Sequence, residues 1–256
     1  MKPTFPLYSL SAALALVLAS TGAGAESAGE LIQKGDVCYV KLQAAEALKF
    51  YLPAEKLDPN NVRLLVRIAR QYRHLMSDAT IAREKLQLGH TALDYAHRAV
   101  ALAPNDPETQ LALAISYGKL LPLEGTKLQI ANSRLLKIAV DKVIALDPTS
   151  DLAWHLLGRW YRALASVGTV KRAYAHVAYG TLPPAKYEDA VRCFEKAMAL
   201  NTNRLMHYIE LGSTYAQMGR DAEARKFITQ GITMAETEKD DPETKNLGRQ
   251  ILKKLR

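Results

Sequence analysis

Apolar and polar positions along most of this chain recur with the 3.6-residue period of amphipathic helices, and the pattern breaks at similar turns. Between 187 and 198 the apolar residues Tyr187, Ala190, Val191, Phe194, Ala197 and Met198 fall on one helical face. The breaks repeat as Leu57-Asp58-Pro59-Asn60, Leu102-Ala103-Pro104-Asn105 and Leu146-Asp147-Pro148-Thr149, with a fourth copy, Leu200-Asn201-Thr202-Asn203, that lacks proline. Proline after a helix stops it and starts the turn. The pattern predicts helix pairs at about 28–40 with 42–57, 61–75 with 84–102, 107–121 with 127–146, 151–166 with 185–200, and 204–218 with 221–236. A last helix over about 242–255 is expected to open with Asp241-Pro242-Glu243 as cap and first turn, and Lys253 and Lys254 suit a polar capping element. The expected fold class is all-α, an α-solenoid of about five helix pairs with a capping helix.

The pairs share a signature. Trp154, Leu157, Gly158 and Tyr161 read W-x2-L-G-x2-Y, followed by Ala190, Phe194 and Ala197. Tyr208, Leu211, Gly212 and Tyr215 repeat the line, with Ala224 and Ile228 after them, and Leu31, Gly35, Ala47, Tyr51, Ala54 and Pro59 fit it as well. This is similar to the tetratricopeptide repeat. Glycine in the first helix admits the second at close range, and the small residue of the second helix fits against the first. The turn-to-turn steps are 45, 44 and 54 residues, against about 34 for a plain repeat. The three inner repeats therefore carry inserts of 11, 10 and 20 residues.

The second half is more specific. Ile130-Ala131-Asn132, the Trp154 to Tyr161 line, Lys171-Arg172, Thr181-Leu182-Pro183-Pro184 and Tyr187-Glu188-Asp189-Ala190 resemble the regulator of microtubule dynamics family over roughly residues 105–255. The resemblance implies a non-enzymatic helical repeat protein. Eukaryotic members are linked with microtubules and organelle contact sites, where lipid handling has been proposed. The N-terminus departs from that setting, so the fold and the binding role carry over and the tubulin partner does not.

That N-terminus changes the compartment. Lys2 is the only charge before Glu26, Leu10 to Leu18 is an apolar run, and Ala23-Gly24-Ala25 is an A-x-A cleavage pattern. The run is short for a bilayer span, and no cysteine follows the small residues. A signal peptide over 1–25, cleaved after Ala25, is expected, leaving a tetratricopeptide-repeat domain at 26–256 in an exported, periplasmic setting. Loss of Lys2 takes the formal charge from +8 to +7. The two cysteines, Cys38 and Cys193, lie in distant repeats, which do not touch in a solenoid, so no disulfide is expected. The composition, 48% hydrophobic and 23% charged, excludes a disordered chain and a multispan membrane protein.

In tetratricopeptide arrays the first helices line a concave groove. By repeat position, Arg63, Arg70 and Arg73 of the second repeat and His155, Arg159 and Arg162 of the fourth face it. Clustered guanidinium groups favour carboxylate or phosphate ligands through paired hydrogen bonds. These six are the candidate ligand-binding residues, with Ile32, Leu111, Ile115 and Ile209 as apolar contacts and Arg67 off the line in a structural role. The expected partner is a protein or peptide with acidic groups; the alternative is an anionic lipid or another amphipathic small molecule. The insert Lys171–Tyr179 suggests a short helix, either a lid or a packing element. His90, Asp94 and His97 share a face but offer no further ligand for a metal. No catalytic motif, cofactor or nucleic-acid reader is expected.

Overall fold

The computed structural model describes residues 26–168 and 183–255. The expected signal peptide and the insert Lys171–Tyr179 lie outside the described residues. Eleven α-helices occupy the described part: α1 (Ala28–Val40), α2 (Ala44–Leu57), α3 (Val62–Asp78), α4 (Ala82–Leu102), α5 (Pro107–Leu120), α6 (Thr126–Leu146), α7 (Asp151–Ala165), α8 (Tyr187–Leu200), α9 (Leu205–Gln217), α10 (Asp221–Thr233) and α11 (Asp241–Leu252). Each odd-numbered helix from α1 to α9 packs on the even one that follows, and each even helix from α2 to α8 packs on the next odd one, giving an α-solenoid of tetratricopeptide-like helix pairs.

The recurring turns are one structure made three times. Asp58, Ala103 and Asp147 donate their backbone N–H to Ala54, Ala99 and Val143, and three residues on, Asn61, Asp106 and Ser150 donate back to Asp58, Ala103 and Asp147. The next helix then starts on a side-chain cap where the sequence supplies one. Asn61 accepts from Leu64 N–H at 3.0 Å, and Asp106 accepts from Glu108 N–H at 2.7 Å, satisfying donors that a helix start leaves open. Within pairs the turn is also shared. Gln43 N–H bonds the Cys38 carbonyl and Arg220 N–H bonds the Tyr215 carbonyl, with a left-handed residue just before each. Gly219 adopts it freely at φ 73°, whereas Leu42 adopts it at φ 58° with a side chain that conformation disfavours.

The eighth residue of each first helix sets how closely its pair approaches: Gly35, Ala69, Ala114, Gly158 and Gly212. At Gly212 a Cβ would lie 2.5 Å from Ile228 Cγ1, 2.9 Å from the Ala224 carbonyl oxygen and 3.0 Å from Ile228 N. Two of those atoms are backbone and cannot swing aside, so α10 sits where it does because Gly212 has no side chain. The inserts of the second and third repeats do not form loops. They lengthen helices, so that α4 and α6 reach 21 residues against 14 in α2.

The start of α11 differs from expectation. Its N-cap is Asp240, and Asp241 is already helical. The buried Asp241 carboxylate turns backward and accepts the N–H groups of Thr237 and Glu238, each at 2.7 Å. It therefore shapes the segment between α10 and α11 instead of capping the helix.

Candidate functional site

The six expected ligand residues do not converge on one open groove. Arg63, at the start of α3, is ion-paired with Glu108 of α5. Arg70 lies with its guanidinium 5.4 Å from the centre of the Tyr39 ring and donates to the Tyr39 hydroxyl. Arg73 is buried and donates to Ser116 Oγ at 3.0 Å and to the Ala112 carbonyl at 3.4 Å. Burial, and then the charge of Arg70, work against its positive charge. Arg159 and Arg162 of α7 share Glu210 of α9. Arg67, off the line by spacing, bonds Asp36 of α1 at 2.8 Å. First-helix arginines thus tie neighbouring repeats together along the stack.

The structure corrects the placement of His155 on the groove: it is buried between α7, α8 and α9. Its Nδ1 lies 2.9 Å from His207 Nδ1, and His207 Nε2 lies 2.9 Å from Asp151 Oδ2. A carboxylate only accepts, so His207 donates from Nε2 to Asp151, and a single proton lies between the two facing Nδ1 atoms. Burial, followed by the positive charges around it, pushes the His155 imidazole well below its ordinary range. Of the apolar positions, Ile115 lines a cavity, whereas Ile209 is fully buried core and Ile32 and Leu111 pack on the core. His97 spends a ring nitrogen on Tyr117, 3.0 Å from its hydroxyl. Cys38 and Cys193 are free thiols, and burial pushes Cys193 up to about 12.

Residues of all five first helices do meet around one cavity of about 190 Å³. Tyr39 comes from α1, Arg70, Arg73 and His74 from α3, Ile115 and Lys119 from α5, Leu152 from α7 and Met206 from α9. Arg204, just before α9, adds a further cation. The segment from Glu238 to Asp241 completes its lining. Asp240 pairs with Lys119 at 2.6 Å and accepts from Ser77 Oγ at 2.8 Å, although Ser77 and Asp240 are 163 positions apart. In a solenoid each repeat touches only its neighbours, so this contact, from the segment before α11 to the second and third repeats, departs from that pattern. Beside it, Arg204 pairs with Glu238 at 2.6 Å and Lys239 with Asp78 at 2.6 Å. Burial works against the Asp240 carboxylate, but Lys119 and Ser77 outweigh it and hold it below the ordinary carboxylate range. Lys119 is drawn down by its own burial, which Asp240 opposes. Burial pushes the His74 imidazole down to about 4, and its Nδ1 finds no hydrogen-bond partner among the described residues.

Lys119, Arg204, Ser77 and Asp240 escape a reading of the sequence by repeat position. The available signal is the run Glu236-Thr237-Glu238-Lys239-Asp240-Asp241-Pro242-Glu243. It is an acidic stretch in a chain in which two of the first helices, α3 and α7, carry several arginines.

A second, larger pocket of about 390 Å³ lies between α5, α6 and α7. Leu121, Ile130, Leu156, Trp160 and Leu164 make its wall apolar, and Arg159 stands in its lining.

A family model described as regulator of microtubule dynamics protein 1-3 matches residues 31–256. Regulator of microtubule dynamics protein 1 of Bos taurus is 27% identical over 227 residues, covering 88% of this chain and 71% of that protein. The Mus musculus protein of the same name is 30% identical over 192 residues, covering 74% of this chain and 62% of its own length. The chain spans about two thirds of the length of these curated relatives. Among solved structures, a thermophilic TPR protein of Thermus thermophilus superposes with a TM-score of 0.64 at 18% identity, covering 88% of this chain and 99% of that one. The likeness extends to the fold.

Proposed function

The chain belongs to the regulator of microtubule dynamics family, and on that premise we propose that it is a non-enzymatic scaffold whose concave face holds an acidic segment of a partner protein. The observation that carries the reading is the cavity shared by all five first helices, where Lys119 holds the Asp240 carboxylate and Arg70 and Arg204 stand in the same lining. A site that holds one aspartate in cis has the donors to hold another in trans. The relatives' name points to microtubules, but an acidic segment is what this chemistry selects. Export of the mature chain 26–256 belongs to the same proposal, and it places the partner in the cell envelope.

Charge reversal tests the reading. Arg70→Glu and Lys119→Glu should each weaken capture of the partner at least about tenfold, since a charged hydrogen bond contributes ~1.5–3 kcal/mol. Binding should also fall with added salt. The readout is capture from envelope extract followed by mass spectrometry, with thermal melting to show that each variant is folded. A partner retained by both folded variants would sink the proposal.

The apolar pocket beside Arg159 favours a second reading, a carrier of an amphipathic anionic molecule such as a lipid. On that reading, an organic extract of detergent-free protein contains a stoichiometric lipid. Trp160→Arg, placed in the wall, should then empty it, and an extract without lipid from the unchanged chain rules the reading out.

A further inference from the structure

The segment between α10 and α11 has the form of a bound ligand. Three successive residues meet three partners of opposite charge, one at the start of the fifth repeat and two on the second and third repeats. Glu238 meets Arg204 before α9, Lys239 meets Asp78 at the end of α3, and Asp240 meets Lys119 of α5 with Ser77 of α3 beside it. The receiving surface therefore reads an order of charges, acidic, basic, acidic. The segment is also shaped in advance, because the Asp241 carboxylate holds the N–H groups of Thr237 and Glu238.

We propose that residues Glu238–Asp240 are an internal occupant of the partner site, and that the partner is a protein segment of acidic-basic-acidic sequence that displaces them. This rests on the acidic-partner reading above and gives it a sequence and a competitor. The contacts suit an occupant that can leave. In each pair the carboxylate stays open to water, with Glu238, Asp240 and Asp78 at 46%, 40% and 52% exposed, while the cations Arg204, Lys119 and Lys239 are at 18%, 24% and 22%, and solvent reaching the acidic member weakens the pair. What favours the internal segment is its tether, which gives it a high effective concentration against any partner in solution. Displacement leaves α11 on α9 and α10, against which it packs through other residues. It exposes Lys119, which burial otherwise disfavours as a cation.

The test uses the full chain and a fluorescent peptide copying residues 235–244, read by anisotropy at low salt. Asp240→Asn combined with Glu238→Gln in the protein should raise its affinity for this peptide at least about tenfold over the unchanged chain, since two charged contacts stop competing. A control peptide with lysine in place of the Asp240 copy should bind neither protein. Equal affinities in a folded variant would overturn the proposal. If Lys119→Glu still abolished peptide binding in that case, the acidic-partner reading would survive. Absence of binding to both proteins overturns the internal-ligand idea, and the capture experiment then decides the broader reading separately. Should the variant fail to fold, NMR titration of the unchanged chain serves. Saturating peptide should release Asp240 from Lys119 and Ser77 and raise its titration midpoint toward the ordinary carboxylate range, and an unaltered midpoint would overturn the proposal.

Discussion

Replacing Phe194 with alanine should destabilise the protein by about 3–5 kcal/mol, the usual cost of removing a buried phenylalanine ring. Phe194 is fully buried in α8 and lies over Gly158 of α7. A Cβ on Gly158 would come within 2.9 Å of the ring, so the glycine and the ring fill one space between them. The ring's edge also meets His155 at 5.5 Å between centroids, and the Arg162 guanidinium lies 5.8 Å from its centre. Alanine would leave a cavity beside these two polar groups and strip both of their ring contact. The expected fall in melting temperature is ~6–20 °C for a chain of this size. Because repeats fold as coupled neighbours, the loss should appear first as an early transition of the fourth and fifth repeats. Calorimetry of Phe194→Ala would show this, and a melting curve within a degree or two of the unchanged protein would contradict the packing described.

The fold is legible where the chain repeats itself. The Pro-containing turns mark the ends of α2, α4 and α6, and the glycines at 35, 158 and 212 mark where pairs approach. Such features are local, and the same steric need recurs in each unit. The lengths of α4 and α6 are legible too. Residues added there keep the helical period, and the helices expected at about 84–102 and 127–146 form at Ala82–Leu102 and Thr126–Leu146. The site is legible in its charge and illegible in its geometry. Repeat position tells which side of a helix Arg73 and His155 occupy, but burial depends on what packs there: Ser116 of the next repeat in one case, Phe194 of the same pair and His207 of the next repeat in the other. Asp240 is the least legible of all. Its partners lie in the second and third repeats, far off in sequence, and no local pattern links them to the segment before α11.

Glu210→Gln should cost about 3–5 kcal/mol, the loss seen when one member of a buried ion pair is removed. Glu210 is 8% exposed and stands between Arg162 and Arg159. Burial works against its carboxylate, but the two arginines outweigh that and hold it below the ordinary carboxylate range. A carboxyl whose folded value lies below its unfolded one stabilises the fold above roughly pH 4. That contribution is lost as pH falls through the folded value. The stability gap between the unchanged protein and Glu210→Gln should therefore be full at neutral pH, still present at about pH 5, and shrink below about pH 4. A gap that is flat across this range would mean that the charge of Glu210 does not hold the arginines. The substitution also separates the two roles given to Arg159 and Arg162. If they serve the stack, Glu210→Gln lowers stability and leaves acidic-peptide binding unchanged. The double replacement Arg162→Met with Glu210→Leu should then recover most of the loss, because an apolar pair of similar volume avoids the unpaired buried charge. If they serve a ligand, freeing them from Glu210 strengthens peptide binding even as the fold weakens. The recovered double variant would then bind more weakly than the unchanged chain. Their present partner favours the first outcome, since Arg162 also donates to the Glu210 backbone carbonyl at 3.2 Å and is held on the neighbouring repeat from both ends of that residue.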